Sequence, residues 1–182
     1  MPLFGKIFLL CYPIMKLVIK KLAGRAEARA CAKIMATSDP WITLKRNYQE
    51  CLKIVTNPLR EIYAAVVDKE IIGFIILQME GTFTGYIQTV AVKAGWRNRG
   101  LGSRLIAFAE KRIFAEKPNV FMCVSSFNKK AQKFYRRLGY ERVGVLRNFI
   151  VNGHDEILLR KTIGPLATYK VKKIFYSQNS YA

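Results

Sequence analysis

Apolar and polar positions along the chain fall into short blocks of two periods, and the blocks predict the elements. Residues 16–22, KLVIKKL, read as a strand, and residues 25–36, RAEARACAKIMA, as a helix stopped by SDPW at 38–41. YQECLKIV, residues 48–55, predicts a second short helix ended by TNP. EIYAAVV at 61–67 and IIGFIILQM at 71–79 are apolar runs joined by DKE, the pattern of a hairpin. GYIQTVAV at 85–92 predicts the next strand, and Leu105, Ile106, Ala109 and Ile113 mark one face of the helix after it. VFMCVSS at 120–126 leads through Asn128 to a helix, KKAQKFYRRL, with Gly139 as its carboxyl-terminal cap. VGVLRNFIV and DEILLRK flank Asn152-Gly153, a strong hairpin signal. Strands and helices mix within one unit, so the class is α/β (α+β), with a largely antiparallel sheet in the first half.

Two end segments stand outside this pattern. The apolar start, MPLFGKIFLLCYPI, is broken by Gly5, Lys6 and Pro13 and falls short of the roughly 20 residues that span a bilayer. It has no basic stretch ahead of the apolar one and no clear cleavage site, so it does not read as a secretory signal. Because MKLVIKKL opens like a first strand, residues 1–14 are expected to be an extension and Met15 the natural start. Residues 15–163 are then the folded domain. Residues 164–182 are a tail in which Lys170, Lys172 and Lys173 sit among Tyr169, Phe175 and Tyr176 with no acid.

Charge and cysteines narrow the class. Thirty-one Lys and Arg against twelve acids give a net charge of +19, so an acidic partner is expected: a polyphosphate cofactor, a nucleic acid, a membrane surface or an acidic protein. Cys11, Cys31, Cys51 and Cys123 form no Cys-x-x-Cys pair, and His154 is the one histidine. That pattern points to neither a disulfide framework nor a metal, and suggests a reducing, cytoplasmic setting.

The chemistry concentrates at RNRGLG, residues 97–102. The P-loop pattern is absent, and so is Gly-x-Gly-x-x-Gly, because Leu105 stands where a third glycine belongs. What remains is Arg97-x-x-Gly100-x-Gly102 opening a helix. Glycines there let backbone N–H groups turn toward an anion, and the helix start adds unpaired donors and a positive dipole end. Arg97, Arg99 and Arg104 add full charges, and pyrophosphate fits. A tight strand-to-helix connection in a basic protein explains the same six residues equally well.

A second block separates those readings. NKKAQKFYRRLGY, residues 128–140, taken with TVAVKAGWRNRGLGSRL, resembles the GNAT superfamily of acetyl-CoA-dependent N-acetyltransferases. RNFIVNGHDEILL further resembles the branch that acetylates ribosomal-protein amino termini. The resemblance implies a mixed, mainly antiparallel central sheet flanked by helices, with acetyl-CoA as cosubstrate and no metal. It implies that backbone groups of Val90, Ala91 and Val92 pair with the pantetheine arm. Arg97, Asn98, Arg99, Gly100, Leu101, Gly102 and Ser103 would hold the pyrophosphate, and Asn128 would contact the cofactor. Tyr135 would protonate the leaving thiolate, as a neutral donor with a reference pKa of about 10. An N–H of Val90 or Ala91 would stabilise the oxyanion.

The chain departs from that branch at Cys123, which stands where the branch carries a glutamate that acts as base. Such a cysteine is ordinarily a small buried apolar residue. A thiolate base or nucleophile is the alternative, though nothing nearby in sequence clearly lowers its pKa. Glu80, His154 and a water chain are further candidates for the base. Trp41, in the connection between the first two helices, is expected either to shape the acceptor site or to staple the core. The acceptor stays open among a protein amino terminus, a lysine, a polyamine and another small amine, with the net charge disfavouring polycations. Between Lys93 and Arg147 fourteen cations face three acids. That surplus supports a second class of function, a nucleic-acid- or ribosome-binding module on the same scaffold.

Overall fold

A computed structural model describes residues 16–171, so the expectations for residues 1–14 and for Lys172, Lys173, Phe175 and Tyr176 lie outside the described residues. The elements run β1 (Val18–Lys21), α1 (Gly24–Ala36), α2 (Tyr48–Val55), β2 (Glu61–Val67), β3 (Glu70–Gln78) and β4 (Tyr86–Val92). They continue with α3 (Leu101–Phe114), β5 (Asn119–Ser125), α4 (Lys129–Arg137), β6 (Glu141–Val151) and β7 (His154–Thr162). The strands form one sheet in the order β1-β2-β3-β4-β5-β7-β6, antiparallel except between β4 and β5.

β3 explains how the layers assemble. Its run EIIGFIILQ is apolar on both faces because both are covered. Ile75 and Leu77 pack with Leu101, Leu105, Ile106, Ala109 and Ile113 of α3. Phe74 and Ile76 pack with Cys31, Ala32 and Met35 of α1 and Cys51 and Val55 of α2. Cys31 and Cys51 are therefore buried packing residues, and burial pushes the Cys31 thiol up to about 12. The β2–β3 hairpin turns through Asp68 and Lys69, both at positive φ, where the sequence reading placed it.

Local chemistry fixes the helix ends. Asn47 accepts from the Glu50 amide at 3.0 Å, and the Asn47 amide donates back to the Glu50 carboxylate at 2.9 Å, a reciprocal capping box. Asn47→Ala should lower stability by about 1 kcal/mol, read as a shifted urea midpoint with an unchanged slope. Gly139 ends α4 at φ 85, and the Tyr140 amide donates to the Tyr135 carbonyl at 3.1 Å. The first residues of the tail are tied down, since a 3₁₀ turn at Leu166–Thr168 brings the Tyr169 hydroxyl to the Phe114 carbonyl at the end of α3.

Candidate active site

The parallel β4–β5 seam is short. Tyr86 pairs with Phe121 and Ile87 with Met122, and beyond those two pairs the strands part. Next to the point of parting, the register with β3 slips between Ile76 and Leu77, so that Gln88 is an extra residue in β4. Such a bulge bends the strand and re-aims its side chains. From Gln88 onward the β5 side of β4 has no strand partner, which leaves an open edge that an extended ligand can join.

The register decides which groups of that edge are free. The Lys93 amide donates to the Ile72 carbonyl at 2.9 Å, so Lys93, and by alternation Ala91, turn their polar groups toward β3. Val90 and Val92 turn theirs toward the opening. Of the three residues expected to pair with a pantetheine arm, Ala91 is thus directed toward β3, and Val90 is the one of the two expected oxyanion donors whose N–H faces the opening. The Val92 carbonyl is covered by the Arg97 side chain, whose Nε donates to it at 3.1 Å.

At the end of β4 the chain enters the glycine turn. Asn98 has φ 60 and Gly100 has φ 77, and Gly100 is the residue before α3. No acid occupies the first turn of α3, so the donors there face no competing carboxylate. Gly102 follows in the first turn of α3, where a Cβ would lie 3.4 Å from the Phe134 ring, an ordinary van der Waals contact. The three arginines diverge. Arg97 lies over Val92, and the Arg99 guanidinium lies 5.4 Å from the Trp96 ring centroid. Arg104 turns to a groove shared with β1.

α4 supplies the other wall. Asn128 caps it, its Oδ1 accepting from the Ala131 amide at 3.1 Å, which leaves the side-chain N–H₂ as the group able to donate. Tyr135 is half-buried, with its ring 5.2 Å from Phe134 and 6.0 Å from Tyr140. Burial pushes its hydroxyl up to about 12, which keeps it a proton-carrying donor throughout the neutral range.

On the α1–α2 side of the same sheet lies a cleft of about 610 Å³. Trp41 and Leu44 from the α1–α2 connection form one wall, and Leu146, Phe149 and Ile150 of β6 the other, with Cys123 and Tyr86 among the lining residues. Trp41 also packs on the α1–α2 core, as the stapling role expected, while its ring lines the cleft. The β6 wall exists because the β6–β7 register breaks between Leu146 and Val151. Asn148, at φ 49, holds the detour by accepting from the Gly153 amide at 2.7 Å. That leaves Phe149 61% exposed at the mouth.

None of the candidate bases is a ready one. Glu80 is on the surface 3.5 Å from Lys117 and does not line the cleft. His154 packs edge-on against Phe127 at 5.0 Å and does not line it either. Cys123 does line it, but burial pushes its thiol up, and the Glu156 carboxylate adds to that; hydrogen bonding to Tyr86 acts the other way. Two residues went unnoticed in the sequence. Tyr86 faces Cys123 across the seam, its hydroxyl pushed up mainly by burial. Glu156, 3% exposed, lies on β7 opposite Ser125 of β5 and accepts from Ser125 Oγ at 2.6 Å. Tyr86 was legible as the first residue of an alternating strand, on the face opposite Ile87.

An open strand edge, a glycine turn at a helix start and a capped second helix define an acyl-transfer scaffold of mixed α/β type. Residues 30–140 match the Acetyltransferase (GNAT) family, and the chain belongs to that family. It is 28% identical over 148 residues to the N-alpha-acetyltransferase RimI of Mycobacterium tuberculosis, covering 77% of this chain and 89% of that one. It is 27% identical over 110 residues to an N-alpha-acetyltransferase of Sulfurisphaera tokodaii, covering 53% and 66%. The Escherichia coli ribosomal-protein-S18-alanine N-acetyltransferase shares the fold with a TM-score of 0.65, at 17% identity over 82% of this chain and 96% of that one. An aminoglycoside 6'-N-acetyltransferase solved with coenzyme A shares it with a TM-score of 0.66, at 20% identity over 81% and 98%. The expected family and the expected nearness to the ribosomal-protein branch both hold.

Proposed function

We propose that the protein transfers acetyl from acetyl-CoA to the α-amino group of a polypeptide whose first side chains are apolar. The observation that carries this reading is the acceptor cleft, which has apolar walls, no carboxylate among its lining residues and Arg46 as its one charged residue. A polyamine or aminoglycoside brings several ammonium groups that need carboxylate partners, and this cleft offers none. The unfilled base position argues the same way. An α-amine has a pKa of about 7.7–8.0 and a lysine about 10.4, so at neutral pH the α-amine is a few hundred times more often in its attacking form. An acceptor that loses its proton readily suits a cleft whose thiol is pushed up.

The residues fit acetyl-CoA as the donor. The open edge at Val90, the acid-free start of α3 and the free amide of Asn128 suit, in order, the pantetheine amides, the pyrophosphate and a carbonyl oxygen. When bound, the coenzyme supplies an activated thioester carbonyl. Val90 N–H would stabilise the oxygen as the amine attacks, and Tyr135 would give its proton to the departing sulfur. The proton shed by the amine would pass to water, from which Tyr135 is reprotonated.

Peptides differing in the first two residues, assayed for CoA release, test the reading. Apolar starts should exceed acidic or lysine-rich starts by at least about tenfold in kcat/KM. The rate should rise about tenfold per pH unit below the amine pKa and level off near pH 8. Preference for spermidine or for internal lysine over every peptide amino terminus would overturn it.

A further inference from the structure

The side of α4 turned from the coenzyme walls holds a feature that acetyl transfer does not use. Ala131, Phe134 and Leu138 of α4 pack into the core, and Phe134 meets α3 at Gly102. Lys129, Lys133 and Arg136, spaced i, i+4, i+7, share another side. With Arg142 of β6 they line a groove of about 320 Å³, walled in part by Ile157 and Leu159 of β7. None of the four cations takes part in the ion pairs among the described residues. No carboxylate lines the groove. Of the nearby acids, Glu110 is held by Lys161 at 2.8 Å and Glu156 by Ser125, while Glu141 is exposed outside the lining. No residue of β4 or of the 98–103 turn borders it, so it is separate from the open strand edge.

We propose that this groove binds the phosphodiester backbone of RNA. Lys129 to Arg136 spans about 10 Å along the helix axis, more than one phosphate occupies, so the array suits a repeating anion. The guanidinium forks of Arg136 and Arg142 match phosphate oxygens from two walls of a concave channel. A bilayer favours a flat or protruding apolar face instead. The one aromatic residue lining the groove, Tyr140, is only 3% exposed and offers no open ring face to a base, so contacts run to the backbone and carry little sequence preference.

The test is anisotropy titration of a labelled mixed-sequence RNA across a salt series. It compares the full chain with K133Q/R136Q/R142Q and with R25Q/R29Q/K53Q, which removes the same charge from exposed positions elsewhere. Losing three phosphate contacts on a single strand should make the slope of log K against log[salt] shallower by about 2. The groove variant should bind at least about tenfold more weakly near 0.1 M salt, while the control stays within about twofold. Equal losses in both variants would reduce the effect to diffuse net charge and overturn the proposal. So would a groove variant that loses acetyl-CoA affinity but keeps RNA, which would give the groove to a coenzyme phosphate. Loss of binding to phosphatidylserine vesicles with RNA binding intact would give it to a membrane and overturn the proposal as well.

Discussion

Tyr135→Phe is expected to lower kcat by about 10²- to 10⁴-fold while leaving acetyl-CoA affinity close to that of the parent. The expectation separates two roles that one ring can play. As a packing residue, Tyr135 fills space between Phe134 and Tyr140, and phenylalanine fills the same space. As a proton donor it is needed only once the C–S bond breaks, so its loss falls on turnover and spares binding. Since burial holds the hydroxyl up at about 12, the parent should show no alkaline decline from this group below about pH 10. Steady-state kinetics with a peptide acceptor, acetyl-CoA binding by calorimetry and a thermal melt measure the three quantities separately. A variant with kcat within about twofold of the parent and an unchanged melt would make Tyr135 a packing residue and move the leaving-group proton elsewhere.

The legible parts of this molecule are those set by a residue's own chemistry. Gly100 could be read as a turn residue because its φ of 77 suits few others, and Asn128 as a cap because its side chain imitates a backbone acceptor. β3 could be read as buried because both of its faces are apolar. The illegible parts depend on a partner. Gln88 is a bulge only relative to β3, and a one-residue slip leaves no mark on the strand's own composition. The arginines around the glycine turn looked like one cluster, but Val92, Trp96 and β1 draw them three ways. The cleft wall at Phe149 and Ile150 arises from a detour in β6 that the Asn148 and Asp155 side chains hold by accepting from the Gly153 and Asn148 backbone amides. Periodicity described β6 as a strand and could not show where it leaves its neighbour.

Gly85→Ala should be the most damaging single-methyl change in the protein, lowering stability by about 3 kcal/mol or more, or roughly 6–12 °C in Tm for a chain of this size. Gly85 immediately precedes β4 at φ 79, and its carbonyl accepts from the Phe121 amide at 3.1 Å, at the closed end of the β4–β5 seam. A Cβ there would lie 2.5 Å from the Asn119 carbonyl oxygen and 2.6 Å from Ile113 Cγ2. The first of these is main chain and has no rotamer through which to withdraw. Gly153→Ala is the internal control, because Gly153 has φ 86 but nothing within 4 Å of the added carbon. It should show the backbone penalty alone, about 1–2 kcal/mol. The excess at Gly85 then measures the steric closeness of β4 to β5. Because that closeness sets where the strands begin to part, the Gly85 variant should also lose acetyl-CoA affinity at temperatures where it remains folded, and the Gly153 variant should not. Equal melts for the two variants would show that the seam yields to the methyl, and the opening beyond it would then not depend on so tight a join.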